Sequence, residues 1–161
     1  MSYFFLILVS LIPLGALLHP GLPLTHDGLD HVARIANFYQ SLTEGNIVPR
    51  WAFNLNWGYG HPVLMFLYPL PSYMASFFHF LGFDLVDSTK LVFALSFIAS
   101  ILAMYLWLKE EVGTWPAVIG GLLYGFAPYR FVDLYVRGAI GEHVAFLFLP
   151  LVLYGMKRNI F

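Results

Sequence analysis

Charged side chains fall into a few short clusters, and the long stretches between those clusters contain none. The charge-free stretches cover 1–26, 51–83, 91–108, 112–129 and 143–156. A transmembrane helix needs about 20 consecutive, mostly apolar residues, with roughly 17 as the lower limit. Residues 3–19, 91–108 and 112–129 meet that limit, and the last stretch meets it when extended back to give 139–156. We therefore predict four membrane spans at these positions.

The composition agrees with lipid as the main solvent. Of the 161 residues, 60% are hydrophobic and 11% are charged, against roughly 25% charged in a soluble domain. Mean hydropathy is +0.74. A formal net charge of −1 gives no attraction to a phosphate backbone, so no nucleic-acid partner is expected. The lack of cysteine excludes disulfides and thiolate sites. We predict an all-α, polytopic protein of the cell membrane with four to five transmembrane helices.

The fifth span depends on residues 63–82. Pro69 and Pro71 interrupt this segment, and the apolar helix that follows, 72–82, is only about half a bilayer long. Two structures fit the pattern: one kinked span, or an interfacial helix lying against the membrane. Both alternatives stay open from the sequence.

Residues 20–62 form the one long polar loop, and within it 28–44 is predicted to be an amphipathic helix at the membrane interface. The predicted apolar face comprises Leu29, Val32, Ala33, Ala36, Tyr39 and Leu42, and the polar face comprises Asp30, Arg34, Asn37, Ser41 and Glu44. Asp27 stands where an N-cap belongs, and Gly45 where a C-cap belongs.

The first span and the basic residues set the predicted orientation. No basic residue precedes 3–19 and no small-residue cleavage site follows it, so we interpret it as an uncleaved anchor. If 63–82 does not span, Lys109 and Lys157 lie on one side, which the positive-inside rule makes cytoplasmic. The loop 20–62 is then predicted to be extracytoplasmic.

The first chemical cluster comprises Asp27, Asp30 and His31. Spacings of i+3 and i+4 place the two carboxylates and the imidazole at one end of the predicted helix. Such a group can bind a hard divalent cation, or it can leave one carboxylate as a general base. A structural role explains the same residues, since Asp is a preferred N-cap and Asp30 can pair with Arg34 at i+4. Spacing alone favours the structural role.

The second cluster lies in the segment 128–143, between two predicted spans, and its candidates are Arg137 and Glu142. Arginines at a bilayer boundary often only extend their charge to the interface. Glu142 adjoins an otherwise charge-free span, where ionisable residues are costly and usually paired or functional. With the orientation above, both acidic clusters face the same side of the membrane. Such convergence is what a shared metal or anion site requires.

The loop ends in a turn at 57–62, with the sequence WGYGHP. Gly58 and Gly60 allow the backbone to approach a ligand or a neighbouring helix closely, which makes Tyr59 and His61 candidate substrate contacts. A tight turn before the proline explains the glycines equally well.

Several short motifs follow one another along the chain. They are THDGLDH after the first span, EGNIVPRW after the amphipathic helix, then GYGHP, YPLPSY and YVRGAIGE. With these motifs the chain resembles the N-terminal part of the GT-C superfamily of integral membrane glycosyltransferases. More narrowly, nearly all of 1–156 resembles the membrane proteins called 6-pyruvoyl-tetrahydropterin-synthase-related. That label implies no pterin chemistry, because no zinc-binding histidine triad at the required spacing is present.

The resemblance implies an enzyme that transfers a sugar from a polyprenyl-phosphate-linked donor in the membrane lipid to an unidentified acceptor. It implies that Asp27, with Asp30 beside it, is the catalytic base or metal ligand of the first external loop. Glu142 corresponds to a second acid, so that Asp27 and Glu142 would hold Mg²⁺ or Mn²⁺. The chain has D-x-x-D where the superfamily has D-x-D, and Glu where it has Asp in the second motif. Implied substrate contacts are His31, Arg34, Arg137, His61 and Tyr59, with Arg137 on the phosphate.

The chain is short for the superfamily that it resembles. GT-C enzymes usually have many more spans, so we interpret 1–161 as one transmembrane module and as the N-terminal fragment of a longer protein. The alternative is a non-catalytic polytopic membrane protein, such as a transporter fragment, a lipid-binding protein or an assembly partner. Its acids would cap helices and its arginines would anchor at the interface. The enzyme hypothesis loses its second cluster if Asp27 and Glu142 lie on opposite faces of the membrane.

Overall fold

The computed structural model describes the backbone of residues 1–160 and the side chains of residues 1–158. Over that range the chain is all-helical, as predicted, and one isolated bridge is its only β-type pairing. The seven α-helices are α1 (Ser2–Leu14), α2 (Gly28–Thr43), α3 (Leu70–Phe80), α4 (Leu85–Val112), α5 (Thr114–Gly125), α6 (Pro128–Val132) and α7 (Ile140–Ile160). Short 3₁₀ turns cover Gly15–Leu18, Asn56–Gly58 and Pro62–Met65, and a π-helical turn covers Asp133–Arg137.

Two of these helices, α4 and α7, are long and apolar enough to cross a membrane by length and composition. Two are fewer than the four to five spans predicted. The predicted span 112–129 is shortened because Gly113, at φ 83°, separates α4 from α5, and because Ala127 before Pro128 is extended at ψ 136°. The remaining 12 residues of α5 reach about 18 Å, against a hydrocarbon core of roughly 30 Å. The predicted span 3–19 is helical only to Leu14 and continues as a 3₁₀ turn.

The segment 63–82 forms a 3₁₀ turn followed by α3, rather than one kinked span. The 11 residues of α3 are too few to cross a bilayer. Its side chains pack against α2 and α4, with the ring of Tyr73 4.7 Å from that of Phe38 in α2. The short helix therefore belongs to the bundle, and its depth in a membrane stays a prediction.

The long helix α4 lies at the centre and packs against α1, α2, α3, α5 and α7. Glycines bring α5 close to it: a Cβ at Gly125 would lie 2.2 Å from Ile101 Cδ1, and one at Gly121 would lie 3.2 Å from the Ile101 carbonyl oxygen. Small residues at such interfaces are typical of membrane helices, whose association depends on close packing.

Helices α4 and α7 run side by side in the same direction. Near their beginnings, the ring centroids of Phe93 and His143 lie 5.2 Å apart. Near their ends, Lys157 Nζ lies 2.8 Å from Glu111 Oε1. The intervening chain therefore returns along α4, with α5 as the antiparallel element.

The helix α2 covers Gly28–Thr43, close to the predicted 28–44, but its buried face differs from the prediction. Leu29, predicted apolar and inward, is 70% exposed, whereas Asn37 and Ser41, predicted polar and outward, are buried. Asn37 can be buried because both polar atoms of its side-chain amide are hydrogen-bonded. Oδ1 accepts from the backbone N–H of Asn54 at 2.8 Å, and Nδ2 donates to Ala33 O at 2.9 Å. The hydrophobic pattern alone could not anticipate this partner.

Candidate functional site

The loop before α2 and the segment before α7 are joined through their backbones. The amide of His26 donates to Val136 O at 2.9 Å, and the amide of Asp27 donates to Arg137 O at 2.9 Å. The two clusters, far apart in sequence, therefore meet at one end of the bundle. Asp27 and Glu142 therefore lie at the same end of the bundle, not at opposite ends.

Glycine is required at position 138 for this junction. The φ of Gly138 is 67°, in the left-handed region, and a Cβ there would lie 2.3 Å from Thr25 Oγ1. The same Thr25 oxygen accepts a hydrogen bond from the Gly28 amide at 3.1 Å, which holds the first turn of α2. The position of Asp27 therefore depends on Gly138.

Arg137, Glu142 and Tyr129 form a hydrogen-bonded group at the surface, which we call the Arg137 group. Nη1 and Nη2 of Arg137 donate to Oε2 and Oε1 of Glu142 at 2.6 and 2.7 Å, a bidentate ion pair. Tyr129 Oη donates to Glu142 Oε2 at 2.7 Å and accepts from Arg137 Nη1. Glu142, predicted as a second free acid, is thus the counter-ion of Arg137.

Hydrogen bonding within the Arg137 group controls its protonation. The bond to Glu142 raises the pKa of Arg137 above its ordinary value, and the same carboxylate raises the pKa of Tyr129. Guanidinium and phenol are therefore both protonated at neutral pH and direct their donors at one carboxylate. An oxyanion of similar shape, such as a phosphate, fits the same donors.

In the first cluster, only Asp30 shows the structural pairing that spacing favoured. Its carboxylate lies 3.5 Å from Arg34 Nη2. Asp27 occupies the N-cap position of α2 but makes no side-chain cap bond there. His31 is buried, and burial lowers its pKa, with a further lowering by Arg34 and opposing effects of Asp27 and Asp30. Asp27 is therefore the carboxylate of this cluster that is best placed to accept a proton.

Tyr68 connects the two clusters. Its ring lies on α7, where a Cβ at Gly141 would be 2.0 Å from Tyr68 Cζ. Burial raises the pKa of Tyr68; Arg34 lowers it, and Asp27 and Glu142 raise it. The ring therefore packs beside the helix turn that carries Glu142. Its one sequence signal, the YPLPSY motif, indicated a helix start and no functional role.

Tyr59 and His61 lie on a loop closed by paired backbones, with Ala52 N to His61 O at 2.9 Å and His61 N to Ala52 O at 3.0 Å. Gly60, at φ 82°, lies against the indole of Trp51, where a Cβ would be 2.2 Å from Nε1. This supports the tight-turn explanation of the glycines. In the described part of the chain, neither Tyr59 nor His61 forms a side-chain hydrogen bond with the two clusters, so their substrate role stays a prediction.

A divalent cation held by Asp27 and Glu142 does not fit this arrangement. Both Glu142 oxygens already accept from Arg137 or Tyr129, and the adjacent guanidinium repels a cation. Mg²⁺ requires nearly octahedral oxygen ligands. Among the residues that the structure describes, no three His, Asp or Glu side chains are grouped so as to hold a metal.

Behind the Arg137 group lies a second set of ionisable side chains, the buried group, formed by Arg130, Asp133 and His143. Arg130 is 1% exposed, and Asp133 and His143 are fully buried. His143 Nδ1 lies 3.2 Å from Asp133 Oδ2, and Arg130 Nη2 donates to Ser100 Oγ at 2.7 Å. Arg137 Nη1 lies 3.8 Å from Asp133 Oδ1, which links the two groups.

The arginines of this segment were expected to extend toward the interface, and for Arg130 that expectation is wrong, since its side chain is buried. Its guanidinium lies 4.2 Å from the ring centroid of Phe146 and 5.1 Å from that of Phe97. Burial lowers the pKa of Arg130 to about 10, so the side chain still carries its charge at neutral pH. The i, i+3 spacing of Arg130 and Asp133 places both on one helix face, and it was the signal that could have indicated inward-facing side chains.

Comparison with known proteins gives no match. No protein-family model matches the chain, and no curated protein or solved structure is significantly similar to it. The resemblance to GT-C glycosyltransferases therefore stays a prediction, and the function has to be argued from the site.

Proposed function

We propose that the chain is a module of a membrane-embedded, GT-C-like glycosyltransferase, which transfers a sugar from a polyprenyl-phosphate donor at the external membrane face. The observation that carries the proposal is the backbone junction of 26–27 with 136–137. It brings Asp27, an uncommitted carboxylate, beside the Arg137 group, which offers phosphate-binding donors.

The exposed surface supports a membrane location. Only 22% of the most apolar stretch of α7 is buried, and large apolar side chains along it face outward: Phe148, Leu149, Val152 and Met156. Apolar surface of this extent marks contact with lipid or with a partner protein. A core helix of a soluble protein would bury most of it.

The parallel direction of α4 and α7 supports more than two spans. If both cross the bilayer in the same direction, the chain between them must cross back. The return crossing has to use the whole of 113–139, because α5 supplies only about 18 Å of it and the turns after α5 supply the rest; α1 lies beside α4. The proposal therefore places α1, α4, α5 and α7 in the bilayer of a multi-pass protein, with the loop 20–62 on the extracytoplasmic side.

In the proposed reaction the acceptor hydroxyl attacks C1 of the sugar. Asp27 accepts the hydroxyl proton as the new C1–O bond forms. The bond between C1 and the donor phosphate oxygen breaks, and the polyprenyl phosphate leaves with the electron pair. Arg137 and Tyr129 donate hydrogen bonds to that phosphate and stabilise its charge. The balance requires no oxidant, reductant or metal.

Because Glu142 occupies the donors of Arg137, the donor phosphate has to compete with the Glu142 carboxylate. The pair is about half exposed on the Glu142 side, so water can solvate both charges while the partners of Arg137 exchange. Exchange of one anion for another is therefore feasible at this place. Before the donor binds, Glu142 keeps the Arg137 guanidinium paired and in place. The sequence predicted a different role for Glu142, that of a second catalytic or metal-binding acid.

The test is the substitution Asp27→Asn in the full chain, in membranes supplied with polyprenyl-phosphate monosaccharides labelled in the sugar. The measured quantity is the conversion of each labelled donor into polyprenyl phosphate that has lost its labelled sugar, for a panel of mannose, glucose and galactose donors. Loss of a general base is expected to reduce the rate by roughly 10²–10⁴-fold. Glu44→Gln, at the opposite end of α2, serves as the control and is expected to leave the rate unchanged. Undiminished release by Asp27→Asn, or no release by the wild type with any donor, contradicts the proposal.

A non-catalytic membrane protein is the second candidate, favoured by the mutual neutralisation of Arg137 and Glu142. In that case the junction only ties the loop to the bundle. Asp27→Asn and Glu142→Gln would then alter folding or insertion alone, and no labelled donor would bind.

A further inference from the structure

A large cleft separates α1 and its 3₁₀ turn from the first half of α4. Its volume is about 650 Å³, within the 300–1,000 Å³ usual for small-molecule sites. The apolar walls are formed by Leu11, Leu14, Leu17, Leu18, Leu91 and Ala94. Within the proposed membrane location, such a cleft has to be filled by something apolar.

One end of the cleft carries a pair of opposite charges. Lys90 is 7% exposed, and its Nζ donates to His19 O at 2.9 Å and to Asp87 Oδ1 at 3.1 Å. An ammonium has three donors, so one remains for a ligand. The Asp87 side chain is 53% exposed, and its second oxygen makes no hydrogen bond with the described residues. A cation and an anion, each with spare capacity, therefore stand side by side at the mouth.

The order of the lining along α4 matches the depth profile of a lipid. Asp87 and Lys90 lie in the first two turns of this candidate span, where it leaves the bilayer, whereas Leu91 and Ala94 lie further in. On the other wall, His19 lies at the outer end and Leu11 and Leu14 lie deeper. An occupant thus places its polar head between the charges and its apolar chain in the cleft.

We propose that this cleft binds one chain of a zwitterionic phospholipid with a primary-amine headgroup, of the phosphatidylethanolamine type. Lys90 donates to the phosphodiester, and Asp87 accepts from the headgroup ammonium. An anionic headgroup lacks the ammonium and is repelled by Asp87, and an uncharged diacylglycerol leaves both charges unused. The proposal rests on the membrane location in the proposed function, and it is independent of sugar transfer.

The experiment measures lipid retention by native mass spectrometry of the full chain in detergent. Phosphatidylethanolamine, phosphatidylglycerol, diacylglycerol and polyprenyl phosphate are offered at equal concentration. We expect phosphatidylethanolamine to be retained on the order of five- to tenfold more than phosphatidylglycerol, the scale of one or two ionic contacts. Asp87→Asn should bring that ratio close to one. Ala94→Phe, which fills the cleft, should abolish retention, whereas Ala145→Phe, at an exposed position of α7, should not.

Each other outcome overturns the proposal. If phosphatidylglycerol or diacylglycerol is retained as well as phosphatidylethanolamine, the proposed headgroup contacts with Lys90 and Asp87 do not exist. If polyprenyl phosphate is retained preferentially, the cleft binds a different lipid. Retention that persists in a folded Ala94→Phe variant places the lipid elsewhere; if that variant does not fold, the ratio in Asp87→Asn decides. A chain that stays in solution without detergent defeats both this proposal and the proposed function. A membrane-bound chain without headgroup preference defeats this proposal alone.

Discussion

The π-helical turn Asp133–Arg137 and its flanks carry two groups of ionisable side chains that differ in their access to solvent. In the buried group, atoms of all three side chains lack a hydrogen-bond partner among the described residues: Arg130 Nε and Nη1, Asp133 Oδ1 and His143 Nε2. In the Arg137 group, two donors of the guanidinium and one of the phenol converge on Glu142. The group that is incompletely paired is thus the one that water cannot reach.

This difference separates structural from functional charges. A buried charge that loses its partner stays uncompensated, so the buried group cannot exchange partners without destabilising the fold. An exposed pair can exchange one oxyanion for another at low cost. The buried group therefore fixes the turn from which the Arg137 group is presented to a ligand.

Asp133→Ala is expected to have the largest effect on stability, because it leaves His143 and the nearby arginines without their buried carboxylate. The substitution removes the buried partner of Arg137 and His143, and a buried charge left uncompensated lowers the free energy of unfolding by about 3–5 kcal/mol. Thermal unfolding in detergent measures it, with Asp30→Ala as the control, since its ion pair is exposed and contributes no more than about 1 kcal/mol. Equal losses in the two variants would remove the distinction between the groups.

Gly138→Ala tests the junction that joins the Arg137 group to Asp27. The new Cβ meets Thr25 at a left-handed φ, so the loss in unfolding free energy should be about 1–3 kcal/mol. Sugar transfer should fall more steeply than stability, because Asp27 is displaced. Gly155→Ala, where a Cβ meets nothing within 4 Å, is the control. A variant with normal transfer and normal stability would show that the junction does not matter.

Glu142→Gln tests the exchange of anions directly. The variant should stay folded, because the pair lies at the surface, and it should bind polyprenyl phosphate several-fold more tightly, because the competing carboxylate has gone. Arg137→Gln should abolish that binding. Weaker binding by Glu142→Gln would instead make Glu142 a ligand-contacting acid, as the sequence suggested.

The smallest expected effect is that of pH on the free energy of unfolding. Because burial lowers the pKa of His31, the unfolded chain binds the proton more readily than the folded chain. Stability is then complete above the ordinary histidine pKa of about 6.5, and it decreases as the pH falls below that value. His31→Gln should weaken this dependence between pH 7 and pH 5 in thermal unfolding. An unchanged slope would mean that His31 is not held neutral.

The helical class, the position of α2 and the convergence of the two clusters could be predicted from the sequence. Long charge-free stretches indicate apolar helices, and the charges between them indicate where those helices end. It could not predict that Glu142 is occupied by Arg137, since both residue types are equally expected in a site. Arg130 was misjudged because its partners, Phe97 and Phe146, lie on helices distant in sequence. The inward turn of Asn37 likewise depends on a tertiary contact, its hydrogen bond with Asn54. The ends of α5 instead follow from Gly113 and Pro128, local signals that a search for charge-free stretches does not use.

The most direct test of the central claim, that the two clusters meet on one membrane face, is thiol cross-linking. The chain contains no cysteine, so His26→Cys and Val136→Cys, both at exposed positions, introduce the only thiols. A short bis-maleimide should link them rapidly in membranes, and an impermeant thiol reagent should label both from the same side. The control pair, His26→Cys with Val152→Cys, lies about 18 Å further along α7 and should not be linked. Labelling from opposite sides, or no preference for the first pair, would contradict the account.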